Sequence, residues 1–123
     1  MPRRKLDPFP AAAFQILIAL AEGDLHGYGI IRRIEEQTEK RTRMGPGTLY
    51  SSIQALLEEA LIEEIEAQNL LPETVPVSNA PKERRRLYRL TSSGRRVARA
   101  EAERLASILR IARANKILRG EYV

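Results

Sequence analysis

Cysteine and tryptophan are both missing from the 123-residue chain, histidine occurs once, and aromatic residues make up only 5%. Without cysteine there is neither a disulfide framework nor a thiolate zinc site, which fits an intracellular protein. A single histidine, His26, rules out a metal site of neighbouring histidines, and at a helix start its expected role is a cap or a packed ring. Long apolar runs are missing too. The longest, from about Ala11 to Ala21, is broken by Gln15 and is too short to span a bilayer. Met-Pro-Arg-Arg-Lys precedes it as a signal-peptide start would, but Glu22, Gly23 and Asp24 follow where a cleavage site needs small residues. The expectation is a cytoplasmic protein with no membrane partner. Acids are present but not in catalytic groupings. Glu58, Glu59, Glu63, Glu64 and Glu66 make no constellation with a base or nucleophile, and a solvated face accounts for them, so neither an enzyme nor a cofactor is expected.

What is present is a chain of 43% apolar and 30% charged residues, the balance of one small, helix-rich globular domain. The net charge of +5 is unevenly spread. From Arg84 to Val123, 12 Lys or Arg stand against 3 Glu, a local charge of +9, whereas Leu61 to Glu83 has 1 Lys and 5 Glu, a local charge of −4. Such asymmetry suits a polyanionic partner, although a solvated, charge-rich helix gives the same count.

The chain is organised around residues 44–62. Pro46 and Gly47 mark a helix start, where proline has no N–H to lose, and Thr48 is the expected cap. Leu49, Ile53, Leu56, Leu57 and Ala60 then fall at i, i+4, i+7, i+8 and i+11, one apolar stripe at helical period. The opposite face carries Thr48, Ser51, Ser52 and Gln54, with Arg41 and Arg43 upstream and no acid before Glu58. Hydroxyls, an amide and helix N-terminal N–H groups are the types that meet phosphate oxygens and base edges when a helix enters a major groove. An ordinary amphipathic helix with a solvated face has the same pattern.

Around it, the spacing predicts a helix over about 11–22, apolar nearly all round through Phe14, Ile16, Leu17, Ile18 and Leu20, and so buried on more than one side. A second follows Leu25-His-Gly-Tyr28 to about Glu39, with Ile30, Ile31 and Ile34 on one face. Tyr28 presents its hydroxyl to phosphate or ligand, or packs with the hydroxyl at the rim. Residues 61–67 and 84–91 read as two strands of a hairpin. Between them lies a loop rich in proline and asparagine whose Leu70, Leu71, Val75 and Val77 are unexpectedly apolar. Arg84, Arg85 and Arg86 at its base suit a phosphate strand, or simply a solvated edge. A long helix then runs from Ser92 to about Arg119. Ala98, Ala102, Leu105, Leu109 and Ala112 recur in it at spacings of 4, 3, 4 and 3, widened by Ile108 and Ile111, a stripe that needs a partner helix.

Two helices joined by a short link, the polar-faced one preceded by basic residues, are in helix-turn-helix order. Three segments, Leu25-His-Gly-Tyr-Gly-Ile30, Gly45-Pro-Gly-Thr-Leu-Tyr50 with Leu56-Leu-Glu-Glu-Ala-Leu-Ile62, and Arg86-Leu-Tyr-Arg-Leu-Thr-Ser-Ser-Gly94, together resemble the PadR family of transcriptional regulators. The resemblance implies a homodimeric repressor whose third helix enters the major groove and whose wing meets the adjoining backbone. It implies DNA-facing roles for Gly47, Thr48, Tyr50 and Tyr28, and an effector pocket, if there is one, at the dimer interface. The sequence departs from the family pattern at Ser51, where proline is usual, at Ala60, where glycine is common, and in a longer, more apolar wing loop.

The expected architecture is mainly α with a small β-hairpin: a winged helix-turn-helix with an N-terminal arm over 1–91 and a dimerisation helix over 92–123. Gln54, Ser51 and Ser52 are the expected base-proximal contacts, and Arg43, Thr48, Tyr50, Arg84, Arg85 and Arg86 the phosphate contacts. Phe14, Ile18, Ala102, Leu105, Ile108, Leu109 and Ala112 are the expected dimer interface. The expected partners are a pseudo-palindromic duplex, a second copy and a small-molecule effector. The rival reading is a winged-helix module that binds protein through its apolar loop without specific DNA binding.

Overall fold

The computed structural model describes residues 9–66 and 86–118. Helix α1 (Ala11–Leu20) follows Pro10, whose extended backbone opens the helix, and it buries Ala13, Ile16, Leu17, Ala19 and Leu20. With so little polar surface it can only be a central element, and the other helices collect round it. A two-residue strand β1 (Leu25–His26) leads into α2 (Gly27–Gln37), whose Ile30 and Ile34 are buried on α1. His26 is the cap of α2, its Nδ1 accepting the Gly29 N–H at 3.1 Å. Helix α3 (Pro46–Glu58) buries Leu49, Ile53 and Leu56 and is followed by β2 (Ile62–Glu66). Strand β3 (Arg86–Leu90) runs directly into the 23-residue α4 (Ser92–Ala114).

The sheet has three strands in the order β1-β3-β2, both pairings antiparallel. The sequence predicts only the hairpin of β2 and β3, because a two-residue strand is too short to carry a period of two. The pairing sets Leu25, Tyr88 and Glu64 in one cross-strand row, with Tyr88 only 2% exposed in the core. Seven side chains, Ile16, Leu17, Ile30, Ile34, Leu49, Leu56 and Ile62, are the largest that are fully buried. They come from three helices and one strand, and each contributes about 1.5–3 kcal/mol by leaving water.

Two helix limits differ from expectation for a local reason. Thr48 is not the cap of α3. Gly45 is, because Pro46 with its fixed φ takes the first helical position, and Thr48 falls in the third. Helix α4 stops at Ala114 rather than near Arg119, since Lys116 turns left-handed at φ 62° and the Ile117 N–H folds back to the Ala112 carbonyl at 2.8 Å. The same reversed turn closes α3. Ala60 has φ 57°, its N–H reaches the Leu57 carbonyl at 3.0 Å, and the Leu61 N–H reaches the Leu56 carbonyl at 3.0 Å.

Glycine is obligatory at one junction. A Cβ on Gly94, in the first turn of α4, would drive into the Leu61 carbonyl oxygen and lie 2.8 Å from Leu90 Cδ1. Thr91 fixes the same junction, its Oγ1 accepting the Gly94 N–H at 3.0 Å and donating to the Ala60 carbonyl at 2.8 Å.

Candidate nucleic-acid interface

Helix α3 has two faces, and the outer one is built for hydrogen bonding. Gly47, Thr48, Ser51 and Gln54 are exposed, and the next exposed residue along that stripe is Glu58. Ser52 is half-buried, turned toward the edge of the stripe. No side chain caps the helix start, so the N–H groups of its first turn open outward, where an anionic oxygen is the favoured acceptor. Ser51 Oγ donates to the Thr48 carbonyl at 3.3 Å, a bond long enough for the hydroxyl to exchange partners. Tyr50 is half-buried and packs against the core rather than standing in the stripe.

Exposed cations occur on the segment before α3, on α2 and on β3. Arg41 and Arg43 are exposed on the segment leading into α3. On α2, Tyr28 is 51% exposed and Arg32 lies over its ring, 5.9 Å from the centroid. Arg32 escaped the sequence reading, although its position four residues after Tyr28 places the two on one helical face. Arg86 is exposed at the root of the hairpin and shares its charge with Glu64 at 3.4 Å. Arg84, Arg85 and the loop with its apolar side chains lie outside the described residues.

Arg89 is used differently. Its guanidinium binds Asp24 through Nε at 3.2 Å and Nη2 at 2.9 Å, and Glu63 stands 3.9 Å away. The hydrogen bond and charge of Asp24 hold its pKa above the usual arginine value. It ties the three strands together on the outer face of the sheet. Tyr88, on the inner face, has its phenol pKa pushed up, first by burial and then by Glu64 and Tyr50, against the opposing effect of Arg86.

The expected dimer residues divide into two sets. Phe14, Ile18 and Leu105 meet in one groove of about 460 Å³ between α1, α2 and α4, with Ile34 at its floor and Gln15, Gln37 and Thr38 as its polar lining. Ala102 stands exposed one turn before Leu105, Ile108 and Leu109 stand exposed beyond it with Ile111 at 60% exposure, and Ala112 is half-buried. Among the described residues no group of three or more His, Asp or Glu side chains is placed to hold a metal ion, and no helix is long and apolar enough to cross a membrane.

Three helices round a core, a small sheet whose two longer strands flank the hairpin loop, and a long final helix define a winged helix-turn-helix protein. Residues 16–100 match the transcriptional regulator PadR-like family, and the chain belongs to that family. Solved structures share the fold. A transcriptional regulator from Clostridium thermocellum is 24% identical, with 88% of this chain and 90% of that one covered and a TM-score of 0.67. PadR from Bacillus subtilis, in complex with operator DNA, is 20% identical over 76% of this chain and 47% of its own, with a TM-score of 0.59. Among curated proteins, an uncharacterized 37.1 kDa protein in transposon Tn4556 of Streptomyces fradiae is 33% identical over 97 residues. That match takes in 79% of this chain and 24% of the relative, so the chain spans about a quarter of its length.

Proposed function

We propose that the chain is a homodimeric, sequence-specific repressor that occupies a pseudo-palindromic operator, with α3 in the major groove and the hairpin against the adjoining backbone. The observation that carries this is the outer stripe of α3: Gly47, Thr48, Ser51 and Gln54 in the open with no exposed acid among them, and Arg43 exposed on the segment that leads into the helix. Membership of a family of transcriptional regulators supports it, as does a shared fold with a relative solved on operator DNA. Gln54, with an amide suited to adenine, is the base reader; Ser51 and Ser52 sit beside it, and Arg43, Thr48 and the arginines at positions 84–86 engage phosphates. The copies meet through Ile108, Leu109 and their neighbours on α4. A small uncharged effector would enter the groove lined by Phe14, Ile18 and Leu105, whose lining carries no charge.

The test is fluorescence anisotropy with a duplex from the gene's own upstream region and a scrambled control, at several salt concentrations. Selective binding with a steep salt slope is expected, since charge alone gives no selectivity. Arg43→Ala should weaken binding to all sequences and lower the salt slope by about one, whereas Gln54→Ala should relax discrimination at one position. Equal, weak binding to both duplexes would count against the operator lying upstream of its own gene. Unchanged preference in Gln54→Ala would remove that residue from base reading.

A further inference from the structure

The half-buried phenol of Tyr50 is directed at the start of α2. An alanine Cβ at Gly27 would lie 2.6 Å from Tyr50 Oη, 3.1 Å from Cζ and 3.2 Å from Cε1, so the ring fills the space a side chain there would need. Gly27 is buried and is the first residue of α2. Its backbone is helical, with no left-handed φ to demand glycine, and a helix ordinarily prefers alanine. The glycine is therefore explained by the approach of the ring. The neighbours on either side belong to the proposed DNA-facing surface. Tyr28 follows Gly27 and is exposed, and Ser51 follows Tyr50 in the polar stripe of α3. Tyr50 also lies close enough to Tyr88 of β3, the strand that begins at Arg86, to bear on its ionisation.

We infer that Tyr50 is a positioning residue: its ring, seated on Gly27, sets the separation of α2 and α3 and so the placement of Ser51 and Gln54 relative to Tyr28, and its hydroxyl is not a phosphate contact. The inference rests on the DNA-binding reading and corrects one assignment within it. A recognition surface assembled from several elements works only if those elements hold their spacing to a fraction of an ångström. A ring packed against a bare Cα is a rigid way to fix it, because neither partner has a flexible side chain that yields.

The experiment compares wild type, Tyr50→Phe, Gly27→Ala and the double variant, using the upstream duplex, the scrambled duplex and the backbone amide shifts of Ser51 and Gln54 in free protein. Tyr50→Phe keeps the ring and should bind within about twofold of wild type with the same salt slope, because a lost phosphate contact would lower that slope by about one. Gly27→Ala should lose about tenfold or more in affinity and move both amides, whereas the double variant, which lacks the oxygen nearest the new methyl but keeps the ring carbons beside it, should recover part of both. Tyr50→Leu, which keeps α3 packed but removes the spacer, should lose affinity at an unchanged slope, and stands in if Gly27→Ala does not fold. A reduced slope in Tyr50→Phe, wild-type binding by Gly27→Ala or Tyr50→Leu, or a double variant no better than Gly27→Ala would overturn the inference. If wild type binds both duplexes equally, the upstream duplex holds no operator, and the recovery or non-recovery of the amide shifts decides the positioning role alone.

Discussion

The two ends of α4 are structurally opposite. At its start, Gly94 touches the Leu61 carbonyl, Thr91 caps the helix and grips Ala60, and Val97 and Ala98 pack on the core. Toward its far end, Ile108, Leu109 and Ile111 are 46%, 48% and 60% exposed. A run of isoleucine and leucine costs free energy when it stays in water, so the same helix is satisfied within the chain at one end and leaves apolar surface uncovered at the other. The difference separates two kinds of stability. On the proposed dimer, changes near residue 94 should act on the fold of each copy and changes near residue 109 on association.

Substitutions can break that division in order of size. Gly94→Ala forces a methyl group into a carbonyl oxygen and should destabilise each copy by about 3 kcal/mol or more in urea unfolding, at any protein concentration. Leu109→Glu should do the reverse: sedimentation should show the monomer–dimer midpoint shifted by at least about tenfold, with unfolding of the dilute protein altered by no more than about 0.5 kcal/mol. A wild-type melting temperature independent of concentration would contradict the association half of the comparison. Thr91→Ala removes a cap and a second hydrogen bond, and should cost about 1–2 kcal/mol in the same unfolding assay. Ala60→Gly, relieving a left-handed alanine, should stabilise by about 1 kcal/mol; a loss of stability would mean that the alanine methyl packs usefully. The smallest effect concerns pH. Because burial raises the Tyr88 pKa in the folded chain, the associated stability is complete below the unfolded value of about 10 and is lost as pH rises through the folded value. Tyr88→Phe should flatten the alkaline limb of the stability curve measured from pH 9 upward, without changing its neutral region in slope.

Much of this was legible beforehand because it is periodic. The apolar spacing of Leu49, Ile53 and Leu56 and the hydroxyls opposite them are properties of a helix, and the buried and exposed faces of α3 follow directly. Family resemblance reached the winged fold by the same segments, and the family match over residues 16–100 agrees with it. What escaped has no period. The β1 strand is two residues long, and its pairing with Tyr88 and Leu87 depends on a partner more than sixty positions away. Gly27 and Gly94 were part of the recognised segments, but glycine looks the same in a sequence whether it serves a turn or a close contact. Tyr50 is a case in point: its motif suggests a DNA-facing hydroxyl, and the packing of its ring against Gly27 at the start of α2 is visible only in the fold.

The junction at Leu61 has a mechanical consequence. The Leu61 carbonyl accepts the Thr91 N–H at 3.2 Å and abuts Gly94, while Thr91 Oγ1 holds the Ala60 carbonyl, so the exit of α3 and the root of α4 form a pinned joint with no slack linker. In a dimer joined through α4, the distance between the two reading helices is then geared to the angle at which the α4 helices cross. A small molecule that alters that angle would act on operator spacing as a wedge acts on a pair of calipers.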